Sequence, residues 1–458
     1  MNMKFSALAT AMVVSASVLT ASADVVDRPS GFKIGERMTL RPYVSLSYTY
    51  DSNVDSAKHA KSGSTWVVNP GLGAEYKGDN WEIAGRAWYR YHAYNRYSKQ
   101  LNESSFGENL TFKWADSLPN EKGWSVLLSE SFTQIAQDDD MSDHSGRGIG
   151  RDRKTFQAAA VIERRINEHL HAAFDASYYM LDYDNNVKEY ATLYGWKRVL
   201  AGGEIGYAAS KWTDFILAAN YGWYWQDNTP NNVRYSDESR GWTVMAGFGT
   251  RATEKIEYRI LTGWSRFEYA NGDAKDIDGW TYQISSKWKI TDTWNMMLLA
   301  ASYYQPSERE MCSAIRVDSI SWGVAHSMVR GKLNATFDLN YRRETHEYSY
   351  TRGYDYDDDI ITARIGLNYT LNRFLQIYGR LEYQTDMCDG GNVRGHNYDY
   401  DRFRGTVVIV VVPANIAAVA HVGLILDPAI DLEEAVESVV QAETGGNDIV
   451  VVVVAARV

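Results

Sequence analysis

Two cysteines and eight prolines are all that this chain of 458 residues contains. So little cysteine excludes a small disulfide-stapled scaffold, and no Pro/Ser-rich linker divides the length into separate soluble domains. Basic charge is also short. Against 58 Asp and Glu stand 47 Lys and Arg, a net charge of −11, which excludes a nucleic-acid binder built on a basic face. Between the first residues and residue 407, no apolar run approaches the ~18 residues of a membrane-spanning helix. What the chain has in excess is aromatic: 15 Trp, 32 Tyr and 13 Phe make up 13% of it, too many for a disordered polymer.

Lys4, an apolar stretch from Phe5 to Leu19 and the ending Ala21-Ser22-Ala23 form the pattern of a secretory signal peptide over residues 1–23, with cleavage expected after Ala23. No cysteine follows that site, so a lipoprotein is not expected. An exported chain without a membrane helix is either free or a β-barrel.

Periodicity decides between these. From Thr39 to Val411 the sequence shows repeated stretches of about ten residues in which apolar and polar side chains alternate, the period of a strand with two different faces. Trp81, Ile83, Ala87, Tyr89 and Tyr91 alternate with Glu82, Arg86, Arg90 and His92; Leu333 to Tyr341 alternate with Asn334 to Arg342. The connections come in two kinds that take turns. Short ones lie at 77–80, 115–123, 166–169, 209–212, 252–255, 291–293, 327–332 and 370–373. Long polar ones lie at 51–64, 95–103, 137–152, 182–194, 227–240, 268–279, 305–314, 343–359 and 385–402. This predicts an all-β fold, a transmembrane antiparallel up-and-down β-barrel of about 18 strands, with turns in the periplasm and loops outside. Trp66, Trp81, Trp114, Trp124, Trp196, Trp242, Trp280, Trp288 and Trp294 fall near strand ends, as headgroup-level girdles require. The barrel is expected over 39–412, after a periplasmic lead at 24–38. The tail at 413–458 has no aromatic residue and carries Val-rich runs around an acidic stretch from Asp431 to Glu437. It reads as a periplasmic extension or, in better accord with a barrel that ends on its closing strand, as a segment that is not native.

The text Ser45-Leu-Ser-Tyr-Thr-Tyr-Asp-Ser-Asn-Val54 opens this Tyr-rich series of hairpins soon after the signal peptide. It resembles an uncharacterised family of outer-membrane β-barrel porins whose first strand often reads close to Y-x-Y-D-S-N. Members of that family often lie beside exopolysaccharide-export genes. The resemblance implies a barrel in the outer membrane, assembled by the barrel-assembly machinery among lipid and lipopolysaccharide, with a saccharide as a candidate cargo.

Chemistry-bearing constellations are few. No G-x-S-x-G, H-E-x-x-H or Gly-rich phosphate loop occurs, and the nine His residues share no spacing, so neither an enzyme nor a cofactor is expected. Asp138, Asp139, Asp140 and Asp143, and Asp355, Asp357, Asp358 and Asp359, offer clustered oxygen ligands for Ca²⁺ but lack the spacing of a calcium loop; the solvated-loop reading is preferred, and a metal stays open. The strand period instead turns a set of charges inward: Arg41, Arg86, Arg90, Lys113, Arg251, Arg259, Lys287, Lys289, Arg342, Arg364 and Arg380, partly offset by Glu82, Glu204, Glu257 and Glu382. Arg380 with Glu382 and Arg259 with Glu257 read as lumen ion pairs. Large inward residues, Tyr43, Trp88, Tyr94, Tyr179 and Tyr224, would narrow the lumen. Two functions fit: a passive or selective pore for small solutes or saccharides, and a plugged structural or surface-binding, adhesin-like barrel. Cys312 and Cys388 both fall in outer loops, where a disulfide between them is expected.

Overall fold

A computed structural model describes residues 31–411 except 54–61, 96–102, 116–122, 136–152, 184–194, 211, 227–237, 251–254, 270–275, 307–311, 349–355, 373 and 390–399. Strands follow one another along the chain: β1 (Phe32–Ile34), β2 (Met38–Asp51), β3 (Gly63–Lys77), β4 (Trp81–Asn95), β5 (Glu103–Ala115), β6 (Gly123–Ile135), β7 (Arg153–Arg165), β8 (Leu170–Tyr183), β9 (Trp196–Ala208) and β10 (Asp214–Gln226). Then come β11 (Glu238–Thr250), β12 (Ile256–Tyr269), β13 (Ile277–Lys289), β14 (Trp294–Pro306), β15 (Cys312–Met328), β16 (Leu333–Tyr348), β17 (Tyr356–Asn372), β18 (Leu375–Asp389) and β19 (Tyr400–Val411). From β2 onward each strand pairs antiparallel with the one before it, and β19 returns to β2 with Arg404 opposite Asp51 and Val411 opposite Val44. Eighteen strands thus close into an up-and-down barrel. Closure removes the open sheet edges that hydrocarbon could not satisfy.

Because strand side chains alternate, one face of the wall is outside and one inside. Outside lie Leu72, Phe174, Ile205, Phe215, Leu217, Ile365 and Leu381, all left uncovered, and Trp280 is 64% exposed. A water-soluble surface does not carry so continuous an apolar area. The girdles stand at both ends of it: Tyr76 stacks on Trp81 at the turn end, with centroids 5.2 Å apart, and Trp264 meets Trp280 edge-on near the other end at 5.7 Å. Trp196 departs from the expected girdle. It faces inward, its ring 4.8 Å from that of Tyr179.

A strand of 13 residues such as β6, rising ~3.3 Å per residue and tilted ~40°, stands about 33 Å tall, more than the ~25 Å apolar band of an outer-membrane barrel. The excess lies on the loop side. There the outward positions turn charged and ion-paired, as in Arg266 with Glu268 and Asp276, and Arg343 with Asp357. Several loops were therefore expected too long: β16 runs on to Tyr348, β17 begins at Tyr356 and β18 ends at Asp389. Above the hydrocarbon both faces meet water, so the apolar alternation stops while the hydrogen-bond ladder continues. Asp357, Asp358 and Asp359 belong to β17 rather than to a loop, and successive side chains there point to opposite faces. Asp355, Asp138, Asp139, Asp140 and Asp143 lie outside the described residues.

Short turns are made by local side-chain caps. Asn167 Oδ1 accepts the His169 and Leu170 N–H groups at 2.8 Å each, and Ser210 Oγ and Thr291 Oγ1 play the same part for Trp212 and Thr213 and for Thr293 and Trp294. In the turn at 290–293 the Lys289 ammonium, 2.8 Å away, hydrogen-bonds the Asp292 carboxyl and holds it below its ordinary pKa. The segment expected as a plain lead contains β1. It pairs with Met38 to Leu40 on the β2 edge not taken by β3, below the point where β19 ends. The cysteines also move. Cys312 opens β15 and Cys388 lies in β18, with β16 and β17 between them. Three inter-strand steps of ~4.8 Å separate their backbones, far beyond the ~4.4–6.8 Å between Cα atoms that a disulfide spans. The expected bridge does not fit this register.

Candidate lumen site

The inward face is polar because its residues are the odd or even partners of the lipid-facing ones. The structure turns Arg41, Arg86, Arg90, Lys113, Arg259, Lys287, Lys289, Arg342, Arg364 and Arg380 to that face, together with Glu82, Glu204, Glu257 and Glu382. Arg251 lies outside the described residues, as does the side chain of Tyr94.

Three stretches of wall group these charges. On β2 to β5, Glu75 accepts from Arg41 Nη2 at 2.5 Å and Lys77 Nζ at 2.6 Å, and Glu82 lies 3.7 Å from Lys113. Above them Arg86 donates from Nε to the Tyr43 hydroxyl at 2.9 Å, with its guanidinium 5.2 Å from the Tyr43 ring and 5.1 Å from the Trp88 ring. Arg90 stands 5.8 Å from the same indole. These are cation–π distances.

On β8 to β12, Arg259 grips Glu204 through both terminal nitrogens, 3.0 and 2.5 Å, with both side chains buried. The expectation was Glu257; the two-nitrogen grip falls on Glu204. The pair reaches over β10 and β11, with Gly249 opposite Arg259 and Ala218 opposite Glu204. Nearer the loops, Arg198 lies 5.6 Å from the Tyr179 ring and 5.5 Å from that of Trp196. Tyr224 packs on Phe267 at 5.0 Å.

On β16 to β19, Glu382 is the hub. It takes Arg364 Nε at 2.7 Å, Arg380, and Arg404 Nη1 at 3.7 Å. Arg342 pairs with Glu344 at 2.5 Å. A buried pair of this kind adds little net stability over an apolar pair, yet removing one member strands the other at a cost of about 3–5 kcal/mol. Such pairs brace the wall. Sequence reasoning missed Arg402 and Arg404, which reach Asp51 on the first barrel strand. Residues up to 402 read as loop, but the every-second spacing of Tyr400, Arg402 and Arg404 already carried the strand signal.

Against known proteins, residues 28–410 match the family described as putative beta-barrel porin 2. Among solved structures, the FrpB iron transporter from Neisseria meningitidis is similar at 9% identity and TM-score 0.43, over 82% of each chain. The siderophore receptor PirA from Pseudomonas aeruginosa is similar at 8% identity and TM-score 0.41, over 83% of this chain and 81% of its own. No curated protein sequence matches the chain.

Proposed function

The chain belongs to the putative beta-barrel porin 2 family and is a barrel of the outer membrane; on that premise we propose that it is a non-enzymatic channel for small solutes, saccharides among them, delivered by a cleaved signal peptide. The observation that carries this reading is the braced lumen. Barrels of 16–18 strands are wide enough to leave an aqueous channel, and here the inward guanidiniums are drawn to neighbouring carboxylates and aromatic faces, which keeps them along the wall. With the basic residues in the waist and acidic loops outside, anions and neutral sugars are favoured over cations. A link to exopolysaccharide export fits the same lumen. The plugged, surface-binding alternative has one observation behind it: the inward Tyr43 is only 1% exposed, so the wall is thickened where it stands.

Reconstitution into planar bilayers under a KCl gradient tests the channel. Stepwise conductance with a reversal potential on the anion side supports it, and no conductance from heat-modifiable, folded protein favours the plugged barrel. N-terminal sequencing of the outer-membrane form should begin at Asp24.

A further inference from the structure

Two cavities adjoin on the outside of the barrel at its turn end, and Tyr207 lines both. Their volumes, about 510 Å³ and about 400 Å³, fall within the range of small-molecule sites, about 300–1,000 Å³. The larger is apolar. Tyr207, Phe215 and Phe248 stand side by side across β9 to β11, with Ile205, Leu217 and Ala246 in the next row toward the middle of the membrane. Ala246 is the small side chain among them, so the wall dips beside Leu217 and Phe248 into a groove. The smaller cavity lies at headgroup level, where the β7–β8 turn meets Tyr207. Its side chains are rich in acceptors. Asn167 Oδ1 caps two backbone N–H groups. His169 Nδ1–H donates to Ala208 O at 3.2 Å, which leaves Nε2 of the neutral ring as an acceptor, and the ring stands 6.1 Å from that of Tyr207. Glu168 makes no hydrogen bond or ion pair among the described residues. Arg164, the outward cation at this end of β7, lies over the Trp124 ring on the β6 side, 4.7 Å away.

An apolar groove in the belt that runs into a polar pocket at its edge has the layout of a lipid, hydrocarbon chain first and headgroup second. Short turns face the periplasm in barrels of this kind, so the leaflet is the inner one and the lipid a glycerophospholipid. Charge selects the headgroup. A free carboxylate beside a neutral ring nitrogen accepts the N–H groups of a primary ammonium, and these are charge-assisted bonds. An anionic headgroup would meet the Glu168 carboxylate as a like charge, and a quaternary ammonium has no N–H to give. The Tyr207 hydroxyl and the Asn167 amide supply donors for the phosphate that all these lipids share. We propose that the paired cavities hold one molecule of an ethanolamine phospholipid, with an acyl chain over Ala246 and the ammonium on Glu168 and His169. Such a site goes beyond the channel reading: it needs only the barrel's place in the outer membrane and stands whether or not the lumen conducts.

Native mass spectrometry tests the site on the full-length protein, stripped of lipid in detergent and titrated with dioleoyl phosphatidylethanolamine, phosphatidylglycerol or phosphatidylcholine. One phosphatidylethanolamine should be held at a half-occupancy concentration at least about ten-fold below that of either other lipid, the worth of one charge-assisted hydrogen bond. Glu168→Gln should remove that preference. Ala246→Trp, which fills the groove, should remove the retention of all three lipids. Heat-modifiability on SDS gels shows whether each variant is folded. Equal retention of the three lipids, tighter retention of phosphatidylglycerol, or a folded Glu168→Gln variant that keeps the preference would overturn the site, as would a folded Ala246→Trp variant that still holds its lipid. Should Ala246→Trp not fold, Leu217→Ala takes its place: removing that wall of the groove should weaken retention of phosphatidylethanolamine several-fold, and unchanged retention rejects the groove.

Discussion

The carboxylate of Asp51 on the first barrel strand accepts two hydrogen bonds from Arg402 on the last, 2.7 Å from Nε and 2.5 Å from Nη2, across 351 residues of chain. Arg404 Nε adds a third at 2.7 Å. The next two residues continue the fastening. Ser52 N donates to Phe403 O at 2.9 Å while its hydroxyl accepts from Phe403 N at 2.7 Å, and Asn53 donates from its backbone to Asp51 and from Nδ2 to Asp401 O. The Asp-Ser-Asn text that carried the family resemblance is therefore the latch of the barrel seam.

Asp51→Ala should weaken the closed barrel far more than an exposed pair can. Arg402 and Asp51 are both largely buried, so removing the carboxylate strands two guanidiniums at a cost of about 3–5 kcal/mol. Asp79→Ala, which removes the exposed partner of Arg37, is expected to cost no more than about 1 kcal/mol. Heat-modifiability on SDS gels reads the difference: the Asp51 variant should convert to the unfolded form at a clearly lower temperature. Equal conversion temperatures would mean that backbone pairing alone holds the seam.

The register of β16 makes a sharper contrast between neighbours. Leu339 faces out between Trp322 and Ala363, whereas Asn340 faces in and donates to Ser321 Oγ at 2.5 Å. Leu339→Arg puts a charge into hydrocarbon, at a cost of about 2–4 kcal/mol near the midplane. Asn340→Arg puts the same charge into a polar lumen. Outer-membrane yield of the first variant should fall sharply and that of the second should stay near the parent level. Equal yields would place the two side chains on the wrong faces.

How much of this was legible follows from what each residue type can signal locally. Leu339 and Asn340 were separable because a two-residue period needs only one strand to be seen. The turns at 166–169 and 291–293 were legible because Asn167 and Thr291 cap them within three residues. Arg259 and Glu204 were not legible as a pair: they meet across three inter-strand steps, over β10 and β11. Trp196 misled because a terminal Trp satisfies a girdle by position and only its parity tells which way it points. Cys312 and Cys388 looked like loop partners because the strands outlast the apolar alternation that announced them.

Two carboxylates sit where the belt should be apolar. Glu108 on β5 lies between Phe106 and Leu110, and Glu130 on β6 between Leu128 and Phe132, with Glu108 opposite Phe132 and Glu130 opposite Leu110. Both face outward. Carboxylates in the band cost less than Arg or Lys, under about 2 kcal/mol each. Glu108→Leu and Glu130→Leu should each raise the conversion temperature of the detergent-solubilised barrel, with the double change close to additive or better because the two are diagonal neighbours. A lower temperature for either variant would show that the carboxylate is stabilising where it stands.

Glu382 tests whether the wall charges govern ion passage as well as bracing. Its side chain is buried, in contact with Arg364, Arg380 and Arg404. Glu382→Gln keeps the shape and an acceptor oxygen but removes one negative charge from a cluster of three guanidiniums. Two effects follow in opposite directions. Stability falls, since the cluster loses the anion that compensates its burial, by as much as about 3–5 kcal/mol. Anion preference rises, because low-dielectric walls focus the uncompensated charge into the water of the lumen. In planar bilayers under a KCl gradient the reversal potential of the variant should move further toward the chloride equilibrium potential. Movement toward potassium, or a large loss of stability with an unchanged reversal potential, would confine Glu382 to bracing the wall.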